Sequence, residues 1–213
     1  MYRERSRVPA TLMLLVHSVL DREDTELIFV DDGSEDDSAV TVEHGAETLG
    51  LRVEVLRLEE HRGKGAAVAA GMEAAKGDAL AFVDADLSTG PEDVDRCLAL
   101  IESGEADVVA ATRSHPDSEI GDRGPGYRQV GGRGYNRVVR LLGLSDLRDT
   151  QCGLKGFSAE AAEATFRDLR TDGFAFDVEV LARARRLGFR VAELPVHWTH
   201  MQDSRVRLVR DAP

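Results

Sequence analysis

The sequence predicts an α/β protein with a parallel, doubly wound sheet, and two observations carry that prediction. Short, mostly apolar segments at 26–30, 79–83 and 106–111 are each followed by polar residues, as strands buried on both faces of a parallel sheet are. Stretches with apolar residues at helical spacing separate these runs, and such alternation favours a mostly parallel sheet with helices on both faces. The length of 213 residues and the hydrophobic content of 42% suit one domain.

Local signals place the elements in order along the chain. Pro9 stands in the first turn of a predicted helix, where its missing N–H costs little. Ser34 follows the first strand and is placed to cap the next helix, and Pro91 opens a later one. The predicted helices lie at 9–20, 39–49, 62–72, 92–102, about 134–143, 159–169 and 176–187, and further strands at 52–58, 190–196 and, as an edge strand, 205–209, with a short strand after a polar turn within 149–157.

Composition narrows the possible partners. Acidic residues outnumber basic ones 39 to 27, the net charge is −12, and no basic stripe is present, so nucleic acid is not an expected partner. The chain has only three lysines, a bias typical of proteins from salt-loving organisms and also of GC-rich genomes.

Two cysteines give no disulfide framework, which suits a reducing cytosol, and Cys97 is expected to be an inert core residue. No apolar run approaches the roughly 18 residues of a membrane span.

Two carboxylates follow the apolar run at 79–83. Asp84 and Asp86 have the period-two spacing of one strand face, at the carboxyl end where open parallel sheets bind ligands. Two hard oxygen ligands suit Mg²⁺ or Mn²⁺, which complete their shells with water and substrate phosphates. The same residues also fit a plain strand end, with Asp84 a solubilising charge and Asp86 a turn residue ahead of Pro91. The pair alone leaves both interpretations open.

Other segments carry weaker signals. Asp31 and Asp32 end the first strand and are suited to accept hydrogen bonds from a base or ribose. The stretch 62–65, Arg-Gly-Lys-Gly, opens a helix whose N–H groups and dipole favour an anion, although the spacing is not that of a P-loop. Residues 114–134 are rich in Gly, Pro and charge, as in a mobile loop over a site. The helix at 134–143 fits either core packing or a membrane-surface position, with core packing the commoner.

Five motifs in order resemble those of one enzyme family. They are Val-Asp-Asp-Gly-Ser at 30–34, Arg-Gly-Lys-Gly at 62–65, Asp-Ala-Asp at 84–86, Asp-Thr-Gln-Cys-Gly at 149–153 and Phe-Asp-Val-Glu at 176–179. Together they are similar to family 2 glycosyltransferases of the GT-A fold. The motif at 149–153, followed by Lys-Gly-Phe at 155–157, narrows the resemblance to dolichyl-phosphate glucosyltransferases and their archaeal and bacterial polyprenyl-phosphate relatives. The resemblance covers nearly the whole chain.

The resemblance implies roles on the donor side. Asp31, Asp32 and Gly33 would line the nucleoside pocket, with Lys64 close to the nucleotide. Asp84 would approach the donor sugar or a metal-bound water, and Asp86 would be the direct ligand of Mg²⁺ or Mn²⁺. Some mannose-transferring relatives carry Gln two residues after the second Asp. Ser88 occupies that position here and is a weaker ligand.

The acceptor side follows from the same resemblance. Arg113, Arg128 and Arg133 lie where the family places cations for the acceptor phosphate, and the planar fork of Arg suits phosphate oxygens. Arg133 fits a solvated loop charge equally well. Asp149 is implied as an assisting base or orienter, with capping of the turn around Gly153 as the alternative. His197 and His200 flank Trp198, and strand-end packing is the simpler interpretation of both.

The implied function is an inverting, metal-dependent transfer of a hexose to a lipid phosphate. The donor would be a nucleotide sugar, UDP-glucose first, and the acceptor dolichyl phosphate or another polyprenyl phosphate, for protein or cell-surface glycosylation. The protein would sit peripherally on the cytoplasmic, inner face of the membrane. Residues 1–213 would form one GT-A domain, with about 1–112 binding the donor and about 113–213 the acceptor. The alternatives are a mannosyl or other sugar transferase, with GDP-mannose as donor, and a nucleotide-binding homologue without transfer activity.

The resemblance also concerns the two ends of the chain. Family members begin with an apolar strand that leads into Tyr-Asn-Glu-Glu, and residues 1–4 match the end of that motif, with 8–12 at the usual distance. We therefore expect that the central first strand is missing and that the true protein starts upstream of Met1. We expect the same of the other end, because relatives continue beyond position 213 into a further helix.

Overall fold

A computed structural model of the chain describes residues 1–19 (16–19 by backbone only), 24–86, 88–122, 134, 135, 137, 139 and 146–199. Besides helical residues at 134, 135, 137 and 139, the chain forms six helices and eight strands within these ranges. The helices are α1 Val8–Val19, α2 Ser38–Leu49, α3 Lys64–Ala74, α4 Pro91–Glu102, α5 Ala159–Phe166 and α6 Phe176–Arg186. The strands are β1 Leu27–Asp31, β2 Val53–Arg57, β3 Ala79–Val83, β4 Val108–Thr112, β5 Glu119–Ile120, β6 Leu154–Ser158, β7 Val191–Pro195 and β8 His197–Trp198.

Most elements lie where the local signals place them. Pro91 is the first residue of α4, and Glu92 and Asp93 in the first turn complement the helix dipole. The predicted cap at Ser34 is wrong, because α2 begins four residues later, after Asp37, which makes no side-chain capping bond. Ser34 Oγ instead accepts a bond from Arg3 N and contacts Asp31 Oδ1, so this hydroxyl stabilises the turn after β1.

The strands form three small sheets. β1 and β2 pair in parallel, β5 and β8 pair in parallel, and the largest sheet has the order β3-β6-β4-β7. β4 and β7 are parallel, whereas β6 runs antiparallel to both of its neighbours. The mostly parallel α/β architecture is confirmed. The antiparallel strand was not predicted, since its direction depends on the long return of the chain from β4 to β6.

Helices cover both faces of the four-stranded sheet, as predicted. Along β4, Val108 and Ala110 join the cluster packed under α3, α5 and α6, while Val109 and Ala111 join the cluster under α4. This alternation is the period-two pattern of a strand, and both of its faces are apolar because both are buried. Cys97 lies fully buried in the second cluster, which confirms its predicted core position. A third cluster joins α1, α2 and β2.

β1 and β3 belong to different sheets within the described part of the chain. Met1 lies along the edge of β1, where its amine donates to Val30 O at 2.6 Å and its carbonyl accepts from Asp32 N at 2.8 Å. The expectation about a missing first strand stays a prediction, as does the expectation about the end of the chain.

Several predicted features lie partly or wholly outside the described residues. Residues 134, 135, 137 and 139 are helical, in agreement with the predicted helix there, and the remainder of 134–143 falls outside those ranges. Residues 123–133, which make up part of the predicted loop, and the predicted edge strand at 205–209 also lie outside the described residues. In the described part of the chain, no helix combines the length and the apolar character needed to traverse a bilayer.

Candidate active site

The carboxylates of Asp84 and Asp86 lie just beyond the end of β3. Because β3 ends at Val83, both residues stand in the following turn, and the period-two argument for their common direction does not apply. Asp84 N donates to Gly153 O at 2.9 Å. Asp86 Oδ1 accepts bonds from Ser88 N at 3.0 Å and Ser88 Oγ at 2.9 Å. Ser88 therefore orients the Asp86 carboxylate, a role that the sequence did not indicate.

Lys64 brings positive charge to these carboxylates. Its Nζ lies 2.7 Å from Asp84 Oδ1, and the Lys64 side chain is only 20% exposed. Burial by itself would lower the pKa of Lys64, but the carboxylates of Asp84, Asp177 and Asp86 outweigh that effect and raise this pKa above its usual range. Asp84 thus contacts the ammonium group, the charge of Asp86 also acts on it, and Lys64 stays charged at neutral pH.

The start of α3 is not the open anion site that its glycines suggested. The N–H groups of Arg62 and Gly63 donate to Asp32 at 2.9 Å each, and Gly65 N donates to Asp172 O at 2.7 Å. A Cβ at Gly65 would lie 2.3 Å from Thr171 O, so this glycine permits the close approach of a loop rather than of a phosphate. The prediction of backbone anion binding at 62–65 is wrong, because other parts of the chain already satisfy those donors.

The residues after β1 divide between two tasks. Asp32 is buried, and besides the two backbone N–H groups it contacts His61 Nδ1 at 2.7 Å, so its carboxylate holds the turn before α3. Asp31 and Gly33 line a cavity of about 530 Å³. Tyr2 and His61, stacked with ring centroids 3.8 Å apart, also line this cavity. Of the predicted nucleoside-pocket residues, Asp31 and Gly33 line the cavity, whereas Asp32 is buried and is not part of its lining.

Arg113 and Asp149 form a tight ion pair at the end of β4. Arg113 Nε and Nη2 donate to the two Asp149 oxygens at 2.6 and 2.9 Å, and Asp149 is 2% exposed. Burial by itself would raise the pKa of Asp149, but the Arg113 guanidinium and hydrogen bonds from backbone N–H groups lower it below its usual range. Arg113 also lies over the Trp198 ring, 5.5 Å from its centroid. Asp149 Oδ1 accepts from Gln151 N at 3.1 Å, which is the turn contact that the alternative interpretation expected.

The turn 149–153 packs directly against Asp84. A Cβ at Gly153 would lie 2.3 Å from Asp84 Oδ2 and 2.5 Å from its Cγ. Glycine is therefore required at position 153 for the Asp84 carboxylate to stay where Lys64 meets it.

We expect Gly153→Ala to turn the Asp84 side chain away from Lys64 without unfolding the protein. The clash is with the end of a side chain that is 40% exposed, so the stability should change by less than about 1 kcal/mol. Losing one charged contact should weaken binding of a nucleotide with Mn²⁺ about tenfold, measured by calorimetry. Gly173→Ala is the control, because a Cβ there meets nothing within 4 Å. If Gly153→Ala and Gly173→Ala bound the nucleotide with equal affinity, Gly153 would not be needed to keep the Asp84 carboxylate at Lys64.

The remaining predicted positions are not brought into the site by the described structure. Arg128, Arg133 and His200 lie outside the described residues. His197 is on β8 with a 61% exposed side chain, and its backbone N–H donates to the buried Asp93 at 2.9 Å. The His197 ring also lies near two carboxylates, with Nδ1 3.7 Å from Asp93 Oδ1 and Nε2 3.5 Å from Glu119 Oε2, so His197 serves strand-end packing.

Sequence reasoning noted Lys155 and Asp177 as members of the family motifs but assigned no role to these two charged residues behind the site. Both are buried, and Lys155 Nζ lies 2.6 Å from Asp177 Oδ1. The available signal was a lysine inside an apolar strand, at 154–158, in a chain with only three lysines. A lysine is almost never fully buried without a partner, so this position indicated a buried acid elsewhere in the chain.

Metal binding fits the donors that are present. Among the described residues no cluster of three or more His, Cys, Asp or Glu side chains is arranged to hold a metal ion. Asp84 and Asp86 by themselves supply carboxylate oxygens that are partly exposed to solvent. Mg²⁺ and Mn²⁺ suit such a site because they bind oxygen ligands and retain water or substrate phosphates.

Solved structures share this fold. The chain superimposes on the mannosyltransferase PcManGT of Pyrobaculum calidifontis, in complex with GDP-Man and Mn²⁺, with a TM-score of 0.67 at 20% identity over 96% of this chain and 56% of that one. It also matches the glucosyl-3-phosphoglycerate synthase of Mycobacterium tuberculosis, in complex with Mn²⁺ and UDP-Glc, with a TM-score of 0.64 at 22% identity over 92% of this chain and 68% of that one. The fold is that of the GT-A glycosyltransferases.

The chain belongs to glycosyl transferase family 2, whose model matches residues 1–166. It is 38% identical to the glycosyltransferase AglD of Haloferax volcanii over 99% of this chain and 34% of AglD. It is 32% identical to the human dolichyl-phosphate beta-glucosyltransferase over 85% of this chain and 58% of that protein. The chain thus spans between a third and three fifths of the length of these relatives.

Proposed function

We propose that this chain is the catalytic domain of an inverting, metal-dependent glycosyltransferase that transfers a hexose to a polyprenyl phosphate such as dolichyl phosphate. The first choice of donor is UDP-glucose. The observation that carries the proposal is the contact of Lys64 with Asp84, beside Asp86, in a chain that belongs to glycosyl transferase family 2. Similarity to dolichyl-phosphate beta-glucosyltransferases supports the acceptor class.

The donor side consists of the two carboxylates, Lys64 and the cavity beside β1. Asp84 and Asp86 would hold Mg²⁺ or Mn²⁺, which when bound would neutralise charge on the departing diphosphate. Lys64 stands where it would contact the nucleotide phosphates while its charge balances Asp84. Asp31 and Gly33 would meet the nucleoside in the cavity that they line.

The acceptor side is built on Arg113. Asp149 engages one edge of the guanidinium through Nε and Nη2, so a phosphate would meet the opposite edge at Nη1. We propose that Asp149 orients Arg113 and does not act as a base, because its lowered pKa makes its carboxylate a weak proton acceptor. A base is also unnecessary, since a phosphate monoester with a second pKa of about 6 is largely ionised at neutral pH. Arg128 and Arg133 remain proposed partners of the same phosphate.

The reaction needs one displacement. A phosphate oxygen of the acceptor forms a bond to the anomeric carbon while the bond from that carbon to the diphosphate oxygen breaks, and the configuration inverts. The nucleoside diphosphate leaves with the bonding electrons. The residues of this chain therefore position two anionic reactants and screen their charges, which is where most of the acceleration arises in such a transfer.

The test is a donor screen with the full chain, a polyprenyl phosphate in detergent and Mn²⁺. We expect labelled glucose from UDP-glucose to enter the lipid fraction, and EDTA to abolish that transfer. Mannose transfer from GDP-mannose in place of glucose would support the second sugar assignment, for which the match to a mannosyltransferase bound to GDP-Man is the motive. Nucleotide binding without transfer from any donor would contradict the proposal and indicate a non-catalytic homologue.

We expect Arg128→Ala to raise the apparent KM for the lipid phosphate about tenfold and to leave UDP binding near normal. Loss of one charge-assisted bond to a phosphate is of that size. Steady-state kinetics with varied acceptor, together with UDP calorimetry, separates the two sites. Arg167→Ala is the control, because that side chain is 67% exposed and paired with Glu163 on α5. A variant that lost UDP affinity but kept its acceptor KM would move Arg128 to the donor side.

A further inference from the structure

Four alternating charges connect the candidate donor site to the core of the protein. Asp84 contacts Lys64 at 2.7 Å, and Lys155 contacts Asp177 at 2.6 Å. The two pairs are neighbours, because Lys64 Nζ stands 5.8 Å from the centroid of the Phe176 ring, and Phe176 directly precedes Asp177 at the start of α6. The function proposed above uses only the first pair.

The Lys155–Asp177 pair is buried from solvent. Lys155 projects from the middle of β6, where it lies between Phe82 of β3 and Ala110 of β4 in the ladder, and its side chain is fully buried. Its Nζ also donates to Cys152 O at 2.8 Å and stands 5.5 Å from the centroid of the Phe82 ring. Asp177 lies in the first turn of α6, where the helix dipole favours a carboxylate.

Asp177 has two cations within electrostatic reach, Lys155 and Lys64. Lys64 contacts Asp84 directly and also lies against the start of α6, next to the Phe176 ring, one residue before Asp177 in that helix. Inside a protein a buried carboxylate requires a counter-charge, since isolation from water is costly. Without Lys155, the nearest ammonium able to serve Asp177 would be that of Lys64.

We propose that Lys155 is a positioning residue that neutralises Asp177 and thereby leaves Lys64 to the donor site. Lys155 does not touch substrate and acts through Lys64. The proposal rests on the proposed function for what Lys64 does to a nucleotide. The position of the Lys64 ammonium, by contrast, is argued from its contacts with Asp84 and the Phe176 ring and does not depend on that function.

This role predicts an asymmetry between the two partners of the buried pair. Removing the charge of Lys155 leaves Asp177 to attract Lys64, so the contact with Asp84 is lost. Removing the charge of Asp177 leaves Lys64 with Asp84 as its remaining partner, and the site is kept. A pair that served only stability would give similar results from either side.

The test compares Lys155→Gln, Asp177→Asn and the double variant Lys155→Gln/Asp177→Asn. Glutamine retains a hydrogen-bond donor toward Cys152 O, which favours folding of the variant. In crystal structures of the ligand-free proteins, we expect Lys64 Nζ to contact Asp177 in Lys155→Gln and to contact Asp84 in the other two. By calorimetry in the presence of Mn²⁺, Lys155→Gln should bind UDP at least about tenfold more weakly than wild type does. The UDP affinities of the other two variants should lie within about threefold of the wild-type affinity.

A Lys64→Met background supplies the matched control. If Lys155 acts through Lys64, adding Lys155→Gln to Lys64→Met weakens UDP binding no further. An Asp84–Lys64 contact retained in folded Lys155→Gln, or an undiminished effect in the Lys64→Met background, would overturn the inference. If Lys155→Gln does not fold, the double variant and Asp177→Asn decide. Loss of the Asp84–Lys64 contact in either of them would overturn the inference, and a double variant that folds and retains this contact would support it, because removal of the Asp177 charge then makes Lys155 unnecessary.

The structural readout needs no ligand, so it holds even where the transfer assay fails. Wild-type protein without sugar transfer would contradict the proposed function. Relocation of Lys64 in Lys155→Gln would still support the positioning role of Lys155.

Discussion

Asp86→Asn should lower the rate of sugar transfer at least about a hundredfold and remove the gain in nucleotide affinity that Mn²⁺ confers. A metal ion at a departing diphosphate contributes several kcal/mol, and each 1.36 kcal/mol is about tenfold in rate. Asparagine keeps the size of the side chain and an oxygen to accept from Ser88 N and Oγ, so the turn after β3 should persist. The measurements are transfer rates and UDP calorimetry, each with Mn²⁺ and with EDTA.

Asp168→Asn is the matched control for this substitution. Asp168 is exposed and has a positive φ of 57°, a conformation that asparagine tolerates well. Asp168→Asn should leave both the rate of sugar transfer and the nucleotide affinity unchanged. An Asp86→Asn variant that gained as much nucleotide affinity from Mn²⁺ as wild type does would exclude Asp86 as a metal ligand.

Arg113→Leu should lower the free energy of unfolding by about 3–5 kcal/mol. It leaves the carboxylate of Asp149, which is 2% exposed, without its partner in a buried position, and removal of one member of a buried pair costs that much. Asp149→Leu should cost less, because the Arg113 side chain is 31% exposed and its guanidinium has access to water. Urea unfolding measures both free energies.

Arg57→Leu is the control for charge removal at the surface. Arg57 and Glu43 are both 49% exposed, and such pairs contribute less than about 1 kcal/mol. Similar losses for Arg113→Leu and Arg57→Leu would show that the Asp149 carboxylate does not depend on Arg113.

The same pair sets a dependence of stability on pH. Because the pKa of Asp149 is lower in the folded protein than the usual value of about 3.9, its contribution to stability is complete above about pH 4. That contribution is lost as the pH falls through the folded pKa. When the pH is lowered from about 4, the free energy of unfolding should therefore fall less for Asp149→Leu than for wild type. Urea unfolding at a series of pH values and fixed ionic strength measures this difference.

Local patterns along the chain were sufficient for the positions of most helices and strands. The apolar run before Asp84 predicted β3 to within its observed bounds, and Pro91 predicted the first residue of α4. Such features depend on residues close in sequence, through backbone propensity and hydrophobic period. The order of the motifs also indicated the family that the comparison with family 2 confirms.

Contacts between distant segments decided the rest. The glycines at 63 and 65 resembled an anion site, yet the loop at 171–173 and Asp32 occupy their N–H groups. Nothing near position 63 in the sequence shows that loop, because Asp172 is 110 residues beyond Arg62, with which it also pairs.

The sequence by itself determined the α/β class, the carboxylates after β3 and the family. Only the tertiary structure decided which polar groups already have partners. It joined Lys155 of β6 to Asp177 of α6, and Arg113 to Asp149, and it placed β6 antiparallel between β3 and β4. The physical reason is that a buried charge or N–H group must be satisfied by whatever the fold brings near it. That partner is set by packing across the whole chain, and not by neighbours in sequence.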